Sequence, residues 1–272
     1  CENSPSMIWR LLILGFASWL GQAETFDHSL WNKLLKQTVN EIGEIDYARI
    51  KANPQDLEAY VRQLAAVSPD SKRELFPTKA DELAYWINAY NALCTYGVAK
   101  AYPVKSVRDL GFLFAFFRRA DYTLGGKKFS LHVLEQELIR PRYREPRIHF
   151  ALVCASLSCP KLSREAYTAA NLEGQLDFQT RQYFRETRNL AVDVKGNRIF
   201  LAKILDWYAA DFGPSALEYA KRYTSEEKRK QVEGLRNPRV TYRDYDWSIN
   251  DPGSRARAKT AEERELSRPP AS

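Results

Sequence analysis

The chain has 272 residues, of which 44% are hydrophobic and 28% are charged. This composition is typical of a globular protein with one sizeable buried core, and it excludes a chain that is disordered throughout. With only 12 Gly and 13 Pro, the chain is not collagen-like or of low complexity. Its formal net charge of +7 raises the question of an anionic partner.

The N-terminal segment has the pattern of a secretory signal peptide. Arg10 precedes an apolar run over 11–20, and a small-x-small site ends at Ala23. The run is too short to span a bilayer comfortably. We therefore predict a signal peptide over 7–23, preceded by an upstream extension over 1–6, and an exported protein that is periplasmic or secreted. A short membrane anchor and a buried first helix are the alternatives. We expect no stable membrane span after cleavage.

The excess of positive charge is local, since residues 118–147 contain eight Lys or Arg against four acidic residues. An exported protein rarely meets nucleic acid, and the chain carries no recognition motif such as a zinc finger, so we predict no nucleic-acid partner. An anionic envelope component or a carboxylated small molecule fits the compartment better. A solvated basic face that only confers solubility is the alternative.

The spacing of apolar residues predicts a chain rich in helices. Amphipathic helices are expected over 29–42 and 54–67, followed by a long helix over 79–101. The long helix begins at a capping box opened by Thr78 and ends before Pro103. Because it is apolar on most sides, we predict that it lies buried at the centre of the fold. Further helices are predicted over 130–139 and 172–188, with short ones from residue 203 onward.

Short strands are expected in three places. Two hairpins are predicted, over 122–129 and over 191–201, each around a turn that contains glycine. The run 148–155 is apolar on both faces, which predicts a buried central strand. From residue 251 the composition turns polar and aperiodic, which predicts a disordered tail over 251–272. The predicted fold class is therefore α+β: a helix-rich single domain over 24–250 with a small, mostly antiparallel sheet packed on the buried central helix.

The densest cluster of reactive residue types surrounds the predicted central strand. His149 lies near its start, and Cys154 and Cys159 lie at its end and in the loop beyond. A thiolate needs a neighbouring base or positive charge, which His149 could supply. Strand alternation places His149 and Cys154 on opposite faces, so Cys159 is the better candidate nucleophile. The alternatives are a Cys154–Cys159 disulfide, favoured by an oxidising compartment, and a zinc site. The zinc site lacks a close cysteine pair and a fourth ligand, and we predict neither a metal nor a cofactor.

Two further groups of polar residues are candidate functional sites. Asn88 and Asn91 lie on one face of the long helix, where they could orient a substrate or an oxyanion. Amides that tie a helix to an adjacent loop are more common. Glu135 lies one helical turn from His132 and could act as an acid, a base or the orienter of a histidine. A solvated acid paired with arginine is the alternative.

Five motifs resemble a known family in their residues and their order. They are the run 85–93, the helix 130–140, the segment 147–154 with Ser158-Cys159-Pro160, the segment 203–212 and the segment 245–250. Together they resemble the domain-of-unknown-function family 547 over roughly 80–250. The resemblance implies export, as in many bacterial members, but no assigned reaction. This chain departs from the pattern at Gln136, where many relatives have histidine. The positions that match the family pattern are Trp86, Asn88, Tyr90, Asn91, Glu135, Arg140, Arg147, His149, Cys154, Cys159, Trp207 and Tyr208.

Two functions are compatible with these residues, and we favour the first. In the first, the chain is an uncharacterised exported binding module, closed by a Cys154–Cys159 bridge, whose aromatic and arginine-lined cleft holds an anionic envelope component or small molecule. The residues expected to bind that ligand are Trp86, Asn91, Arg140, Arg147 and Tyr208.

In the second, the chain is a cysteine-dependent hydrolase or acyl transferase. Papain-like and transglutaminase-like folds are a weak analogy, because they place the nucleophile at the start of the central helix, where this chain has no cysteine. The roles expected under this hypothesis are Cys159 as nucleophile, His149 as base, Glu135 as orienter and Asn88 as oxyanion donor.

Overall fold

The computed structural model describes residues 24–119 and 122–256, apart from the side chain of Leu113. The predicted signal peptide over 7–23 and the extension over 1–6 lie outside the described residues. Among the described residues, no helix combines the length and the apolar character needed to cross a membrane.

The first six residues of the predicted tail belong to the domain. Ser254 is buried, and the backbone amides of Gly253 and Arg255 donate hydrogen bonds of 3.0 and 2.8 Å to the buried carboxylate of Glu44. The prediction that the tail begins at residue 251 is therefore wrong. The polar composition of the segment suggested disorder, but these residues are held in place by hydrogen bonds rather than by apolar contacts. The rest of the predicted tail lies outside the described residues.

Three helices precede the long central helix. The N-terminal helices are α1 (Ser29–Thr38), α2 (Tyr47–Ala52) and α3 (Gln55–Ala66), and the central helix is α4 (Lys79–Ala101). The predicted helices over 29–42 and 54–67 correspond to α1, which is shorter, and α3. Helix α2 was not expected from the sequence; Asp46 caps it by accepting a hydrogen bond from the Arg49 amide. Helix α4 contacts both α2 and α3.

Helix α4 forms where its capping signals predicted. Thr78 Oγ1 accepts from the Asp81 amide, and the Asp81 carboxylate accepts from the Thr78 amide, which completes the capping box. Tyr102 ends the helix, and Pro103 follows. Every residue from Glu82 to Thr95 is buried, which covers all sides of the helix. The prediction of a buried central helix is confirmed.

The segment after α4 begins with a short helix and the first hairpin. The elements are α5 (Ala115–Arg119), β1 (Tyr122–Leu124) and β2 (Lys127–Phe129), and the two strands pair antiparallel. The helix predicted from residue 130 follows, and Ser130 caps it by accepting from the Val133 amide. It comprises α6 (Leu131–Val133), a π-helix (Leu134–Ile139) and α7 (Arg140–Tyr143) without interruption. The π-helix was not predicted.

The predicted central strand over 148–155 does not exist. Its first part lies in a 3₁₀-helix (Pro146–Phe150), and the following residues are buried, apart from half-buried Cys154, but pair with no strand. The side chain of Asn91 takes the place of a strand partner: Nδ2 donates to the Ala151 carbonyl at 2.9 Å, and Oδ1 accepts from the Val153 amide at 2.8 Å. An apolar run indicates burial, and here a buried amide satisfies the backbone that a neighbouring strand would otherwise have to satisfy.

The C-terminal part carries a three-stranded sheet among helices. The elements are α8 (Leu172–Arg185), β3 (Leu190–Asp193), β4 (Arg198–Leu201), α9 (Ile204–Trp207), α10 (Ala216–Tyr223), α11 (Glu226–Glu233) and β5 (Arg239–Tyr242). Strand β3 pairs antiparallel with β4, which confirms the predicted hairpin, and β4 pairs parallel with a third strand, β5. Further 3₁₀ turns span Arg73–Leu75, Val107–Leu110, Phe112–Phe114, Ala169–Asn171 and Ala209–Phe212.

Two clusters of buried apolar residues form the core. The larger surrounds α4 and includes the buried faces of α1 to α3 and the segment after the Pro146–Phe150 turn. The smaller joins Phe150 to α8, the sheet strands β3 and β4, and α10. The structure is a helix-rich α+β fold, as predicted, but its three-stranded sheet packs in the smaller cluster rather than on the central helix. Phe150 belongs to the smaller cluster and the residues that follow it to the larger, so the chain passes from one cluster to the other just before the cysteine loop.

Candidate functional site

A cavity of about 310 Å³ contains most of the reactive side chains that the sequence singled out. Its lining comes from α4, the α5 region, the π-helix, the segment 149–159, α9 and the C-terminal segment near Trp247. Two larger cavities, of about 500 and 920 Å³, contain none of the predicted catalytic residues. The 310 Å³ cavity is therefore the candidate functional site.

A disulfide between Cys154 and Cys159 lines this cavity, with the two Cα atoms 6.2 Å apart. Of the alternatives that the sequence left open, the disulfide is the one the structure contains. The hydroxyl of Tyr245 lies 3.2 Å from each sulfur and accepts a hydrogen bond of 3.0 Å from Ser156 Oγ. Cys94, the other cysteine among the described residues, is buried in α4, and burial raises the pKa of its thiol.

His149 is fixed by a carboxylate that the sequence analysis did not consider. Its Nε2 lies 2.7 Å from Asp211 Oδ2. The same carboxylate accepts two hydrogen bonds from the Arg140 guanidinium, at 2.8 and 3.0 Å. The hydrogen bond to His149, followed by those from Arg140, lowers the pKa of Asp211 well below its usual range. Asp211 thus remains ionised and holds both the histidine and the arginine in place.

A second carboxylate in the cavity, Glu135, accepts three hydrogen bonds. Oε1 accepts from Gln136 Nε2 at 2.9 Å and from the Tyr208 hydroxyl at 2.8 Å, while Oε2 accepts from the Tyr90 hydroxyl at 3.2 Å. Burial, with the nearby Glu135 charge, raises the pKa of Tyr208 and of Tyr90, so both remain donors. Glu135 and Gln136 are adjacent in the π-helix, and both line the cavity. π-Helical segments occur often at functional sites.

Tyr208 connects the two carboxylate networks. Its ring stacks on the His149 ring, with centroids 4.1 Å apart, and the Arg140 guanidinium carbon lies 4.8 Å from its centroid. The side-chain carbonyl oxygen of Gln136 also accepts a hydrogen bond from Arg140. The cavity side chains therefore form one continuous polar network rather than separate pairs.

The rest of the cavity is aromatic. We call Phe114, Trp207, Tyr245 and Trp247 the aromatic wall. Tyr245 contacts both tryptophan rings, with centroid distances of 4.8 and 4.5 Å, and Trp247 contacts Phe114 at 4.8 Å. Trp207 is 45% exposed, which is unusual for so large an apolar side chain. Arg118 also lines the cavity and is exposed.

The structure brings four of the predicted site residues into the cavity lining besides Cys154. These are Cys159, His149, Glu135 and Tyr208. His149 and Cys154 line the same cavity, so the prediction that they face opposite ways is wrong, because it assumed a strand. The partner of His149 is also corrected, since Asp211 rather than Glu135 contacts its ring.

Three other predicted site residues are buried outside the cavity lining. Asn88 Nδ2 donates to the Tyr167 carbonyl at 2.8 Å and Oδ1 accepts from the Tyr167 amide at 2.9 Å, so its amide ties α4 to the backbone of Tyr167. Asn91 is the backbone clamp described above. Trp86 is completely buried. None of the three lines the cavity, so the structure gives no support there to Asn88 as an oxyanion donor or to Trp86 and Asn91 as ligand-binding residues.

Arg140 and Arg147, which were expected to line the cleft, are not in the cavity lining. Arg140 is paired with Asp211, while Arg147 is paired with Glu145 and Glu173, each at 2.7 Å. Both cations are neutralised by carboxylates within the domain. The positive side chain in the lining is instead Arg118, which belongs to the basic stretch 118–147 but was not singled out.

Sequence reasoning assigned no role to Asp211, Tyr245 or Trp247, and gave Trp207 none beyond its family position. The sequence did contain one indication that these four residues matter, because all four fall within the motifs 203–212 and 245–250 that carried the family resemblance. Nothing in the local pattern connects those motifs with the cysteine loop. Only the tertiary contacts place them around one cavity.

Metal binding finds no support in the described part of the chain. Within residues 24–119 and 122–256, no group of three or more His, Cys, Asp or Glu side chains is arranged to hold a metal ion. The zinc alternative required the thiolates of Cys154 and Cys159, and both sulfurs are joined in the disulfide.

The fold and the site together define a helix-rich α+β domain with an aromatic cavity lined by a disulfide. Residues 76–184 match the family described as "Protein of unknown function, DUF547". This match supports the family resemblance that the motifs indicated, and it covers the segment that holds three of the five motifs. The matched segment contains both cavity cysteines and Glu135, while Asp211 and the tryptophans of the aromatic wall lie beyond it. No curated protein and no solved structure matches the chain.

Proposed function

We propose that this chain is a binding module that holds an acidic saccharide against the aromatic wall. The observation that carries the proposal is Trp207, a 45% exposed tryptophan in the lining of a cavity that Tyr245 and Trp247 also line. Exposed aromatic rings that border a concave site mark a ligand surface more often than a defect of folding. The apolar face of a sugar ring packs well on such a wall.

The polar side chains of the cavity complement the hydroxyl groups of a saccharide. Glu135 and Gln136 supply acceptors and donors, and His132 adds an exposed imidazole to the lining. Glu135 Oε2 accepts one hydrogen bond within the domain, which leaves acceptor capacity for a ligand hydroxyl. A few polar groups in a largely apolar cavity orient a ligand, while the apolar surface supplies most of the contact area.

Arg118 is the reason to expect an acidic group on the ligand. It is exposed at the cavity, and within the part of the chain that the structure describes no carboxylate pairs with it. Arg140 and Arg147, by contrast, are neutralised by their own acidic partners. A carboxylate on the ligand would be attracted to Arg118 and repelled by Glu135.

We also propose that the chain is exported to the periplasm or beyond and has no nucleic-acid partner. The predicted signal peptide and the disulfide support export, because disulfides form and persist in oxidising compartments. Acidic envelope polymers are the saccharides that such a protein would meet. N-terminal sequencing of the protein recovered from the envelope fraction tests the proposal, with cleavage after Ala23 expected.

Calorimetric titration with oligogalacturonides of defined length tests the binding function. We expect Trp207→Ala to weaken binding at least about tenfold, since aromatic anchors dominate binding energies. Arg118→Ala should weaken binding and reduce its salt dependence. The matched controls are Phe178→Ala and Arg229→Ala, an exposed aromatic on α8 and an exposed arginine on α11, which should bind like the wild type.

Two outcomes would contradict the proposal. Equal affinities of Trp207→Ala and Phe178→Ala would remove the aromatic wall from the binding site. Equal affinity for oligogalacturonides and for their methyl-esterified counterparts of the same length would show that no acidic group is recognised.

A cysteine-dependent hydrolase is a second candidate, and one specific observation favours it. His149 lines the same cavity as Cys159, and Asp211 orients its ring, which is the arrangement of a nucleophile, a base and an orienter. The disulfide blocks this chemistry, since a bridged sulfur is not a nucleophile. Hydrolysis of p-nitrophenyl acetate by the reduced protein, lost in Cys159→Ser and His149→Ala, would support it. Equal rates for oxidised and reduced protein would rule it out.

A further inference from the structure

The loop that carries the disulfide is held in place without it. The Leu157 amide donates to the Ser248 carbonyl at 2.7 Å, and the Asn250 amide donates to the Ala155 carbonyl at 3.1 Å. Arg188 donates to the carbonyls of Leu157 and Cys159. A cross-link over a sequence separation of 5 residues also removes little chain entropy, since such stabilisation grows with loop length. The contribution of this disulfide to folding is therefore small.

The two sulfurs of the disulfide have different environments. Cys159 is 2% exposed, whereas Cys154 is half-buried, and both line the cavity. A reagent that enters the cavity therefore meets Cys154 more readily than Cys159. Access is one of the factors that decides which sulfur of a disulfide is attacked.

A backbone donor distinguishes the less accessible sulfur. Cys159 Sγ accepts from the Cys154 backbone amide at 2.9 Å and from the Tyr245 hydroxyl at 3.2 Å. Cys154 Sγ lies 3.2 Å from the same hydroxyl and 3.1 Å from Ser156 Oγ, whose proton is donated to Tyr245. Burial raises the pKa of Tyr245, so the hydroxyl keeps its proton at neutral pH. Donors directed at a sulfur favour its thiolate form, and a stabilised thiolate is a better leaving group.

We propose that the Cys154–Cys159 disulfide is a thiol–disulfide exchange centre, in which an external dithiol attacks Cys154 Sγ and Cys159 Sγ leaves. In the first step a new S–S bond forms between the reductant and Cys154, the Cys154–Cys159 bond breaks, and its electron pair passes to Cys159 Sγ as a thiolate. In the second step the other thiolate of the dithiol attacks its own sulfur in the mixed disulfide and releases Cys154. Two electrons and two protons pass to the two cysteines, and the dithiol becomes a disulfide.

This inference does not depend on the saccharide proposal. It rests on the access to Cys154 and on the donors at Cys159, whereas saccharide binding rests on Trp207 and Arg118. A ligand seated on the aromatic wall would cover Cys154, since the wall and the disulfide line one cavity.

The first test compares the two sulfurs directly. Cys159→Ser and Cys154→Ser are each treated with glutathione disulfide, and mass spectrometry follows the mixed disulfide at the remaining cavity cysteine. We expect Cys154 to react at least about tenfold faster than Cys159, because it is the accessible sulfur. Buried Cys94 is present in both variants as an internal control and should stay unmodified. Equal rates, or faster reaction of Cys159, would overturn the proposal.

The second test uses the wild-type disulfide and so does not depend on the cysteine variants folding. Dithiothreitol should reduce it while the near-ultraviolet circular dichroism of the domain is retained. Reduction that occurs only together with global unfolding would overturn the proposal.

The third test concerns the leaving sulfur. Tyr245→Phe removes the hydroxyl that donates to Cys159 Sγ, so we expect reduction by dithiothreitol to slow by roughly tenfold. Tyr242→Phe is the matched control, since that half-buried tyrosine lies in β5 away from the disulfide. An equal rate for wild type and Tyr245→Phe would show that this hydroxyl does not assist exchange, and the proposed assignment of Cys159 as the assisted leaving group would fail.

Discussion

His149 Nε2 lies 2.7 Å from Asp211 Oδ2, and the Arg140 guanidinium binds the same carboxylate through two nitrogens. The carboxylate thus joins the buried histidine of the cavity to the basic stretch that the sequence presents as a candidate anion site. Asp211 neutralises Arg140, and the pair holds the network in place. The relationship determines how the site responds to mutation and to pH.

Asp211→Asn should destabilise the domain by about 2–3 kcal/mol. The substitution leaves His149 and Arg140 without their anionic partner in a partly buried network. Urea unfolding measures the change. Asp206→Asn is the matched control, because its exposed pair with Lys203 should contribute less than about 0.5 kcal/mol. Equal effects of the two substitutions would contradict the structural role of Asp211.

The same carboxylate predicts a loss of stability in acid. The pKa of Asp211 is lowered in the folded state, chiefly by the hydrogen bond from His149 and then by Arg140. A carboxyl with a lowered folded pKa contributes stability above its unfolded pKa of about 4, and that contribution is lost as the pH falls toward the folded value. The difference in unfolding free energy between wild type and Asp211→Asn should therefore shrink below about pH 4. A difference that grows in acid would contradict this sign.

Asn91→Ala should destabilise the domain by about 2–3 kcal/mol. The substitution leaves the Ala151 carbonyl and the Val153 amide, both buried, without their hydrogen-bond partner. Chemical denaturation checks the value. Asn53→Ala, at an exposed position that follows α2, should cost much less. A small effect at Asn91 would mean that the segment after the Pro146–Phe150 turn does not depend on this clamp.

Arg142→Ala should cost about 3 kcal/mol, because it removes the cation that pairs with the buried Glu82 carboxylate at 2.6 Å. The double variant Arg142→Ala with Glu82→Gln should recover part of that loss, since the buried charge is then absent. Arg181→Ala, which removes an exposed pair within α8, should cost less than about 0.5 kcal/mol. Additive effects in the double variant would show that Arg142 and Glu82 do not interact.

His28 predicts a second pH dependence, in a milder range. Its Nδ1 lies 2.7 Å from the Tyr60 hydroxyl, and burial lowers its pKa from 6.5 to about 4, against the opposing charge of Asp27. Between these two values the unfolded chain binds the proton and the folded chain does not, so stability falls as the pH falls. We expect the wild type to lose about 1–2 kcal/mol between pH 7 and pH 5 from this group.

His28→Gln should remove this component of the pH dependence, while His132→Gln at an exposed position should leave it in place. Unfolding free energies of the three proteins at pH 5 and pH 7 give the comparison. Parallel pH profiles for wild type and His28→Gln would exclude His28 as the titrating group.

The sequence by itself determined the elements whose signals are local. The capping box at Thr78 and the stop before Pro103 set the bounds of α4, and its apolar residues on all sides predicted its burial. The glycine turns predicted both hairpins, and the family resemblance marked the cysteine loop. Each of these signals lies within a few residues of the structure it specifies, because capping and turn formation are short-range hydrogen-bonding and steric effects.

Tertiary structure alone decided the segment 148–155 and the composition of the cavity. The apolar run there indicated burial, but whether a strand or the Asn91 side chain would satisfy its backbone depended on a residue some 60 positions earlier in the chain. In the same way, Asp211, Tyr245 and Trp247 reach the cysteine loop only through packing between distant segments. Local patterns report whether a residue is buried. The whole fold decides which partner a buried residue contacts, since any of several polar groups can satisfy the same buried donor or acceptor.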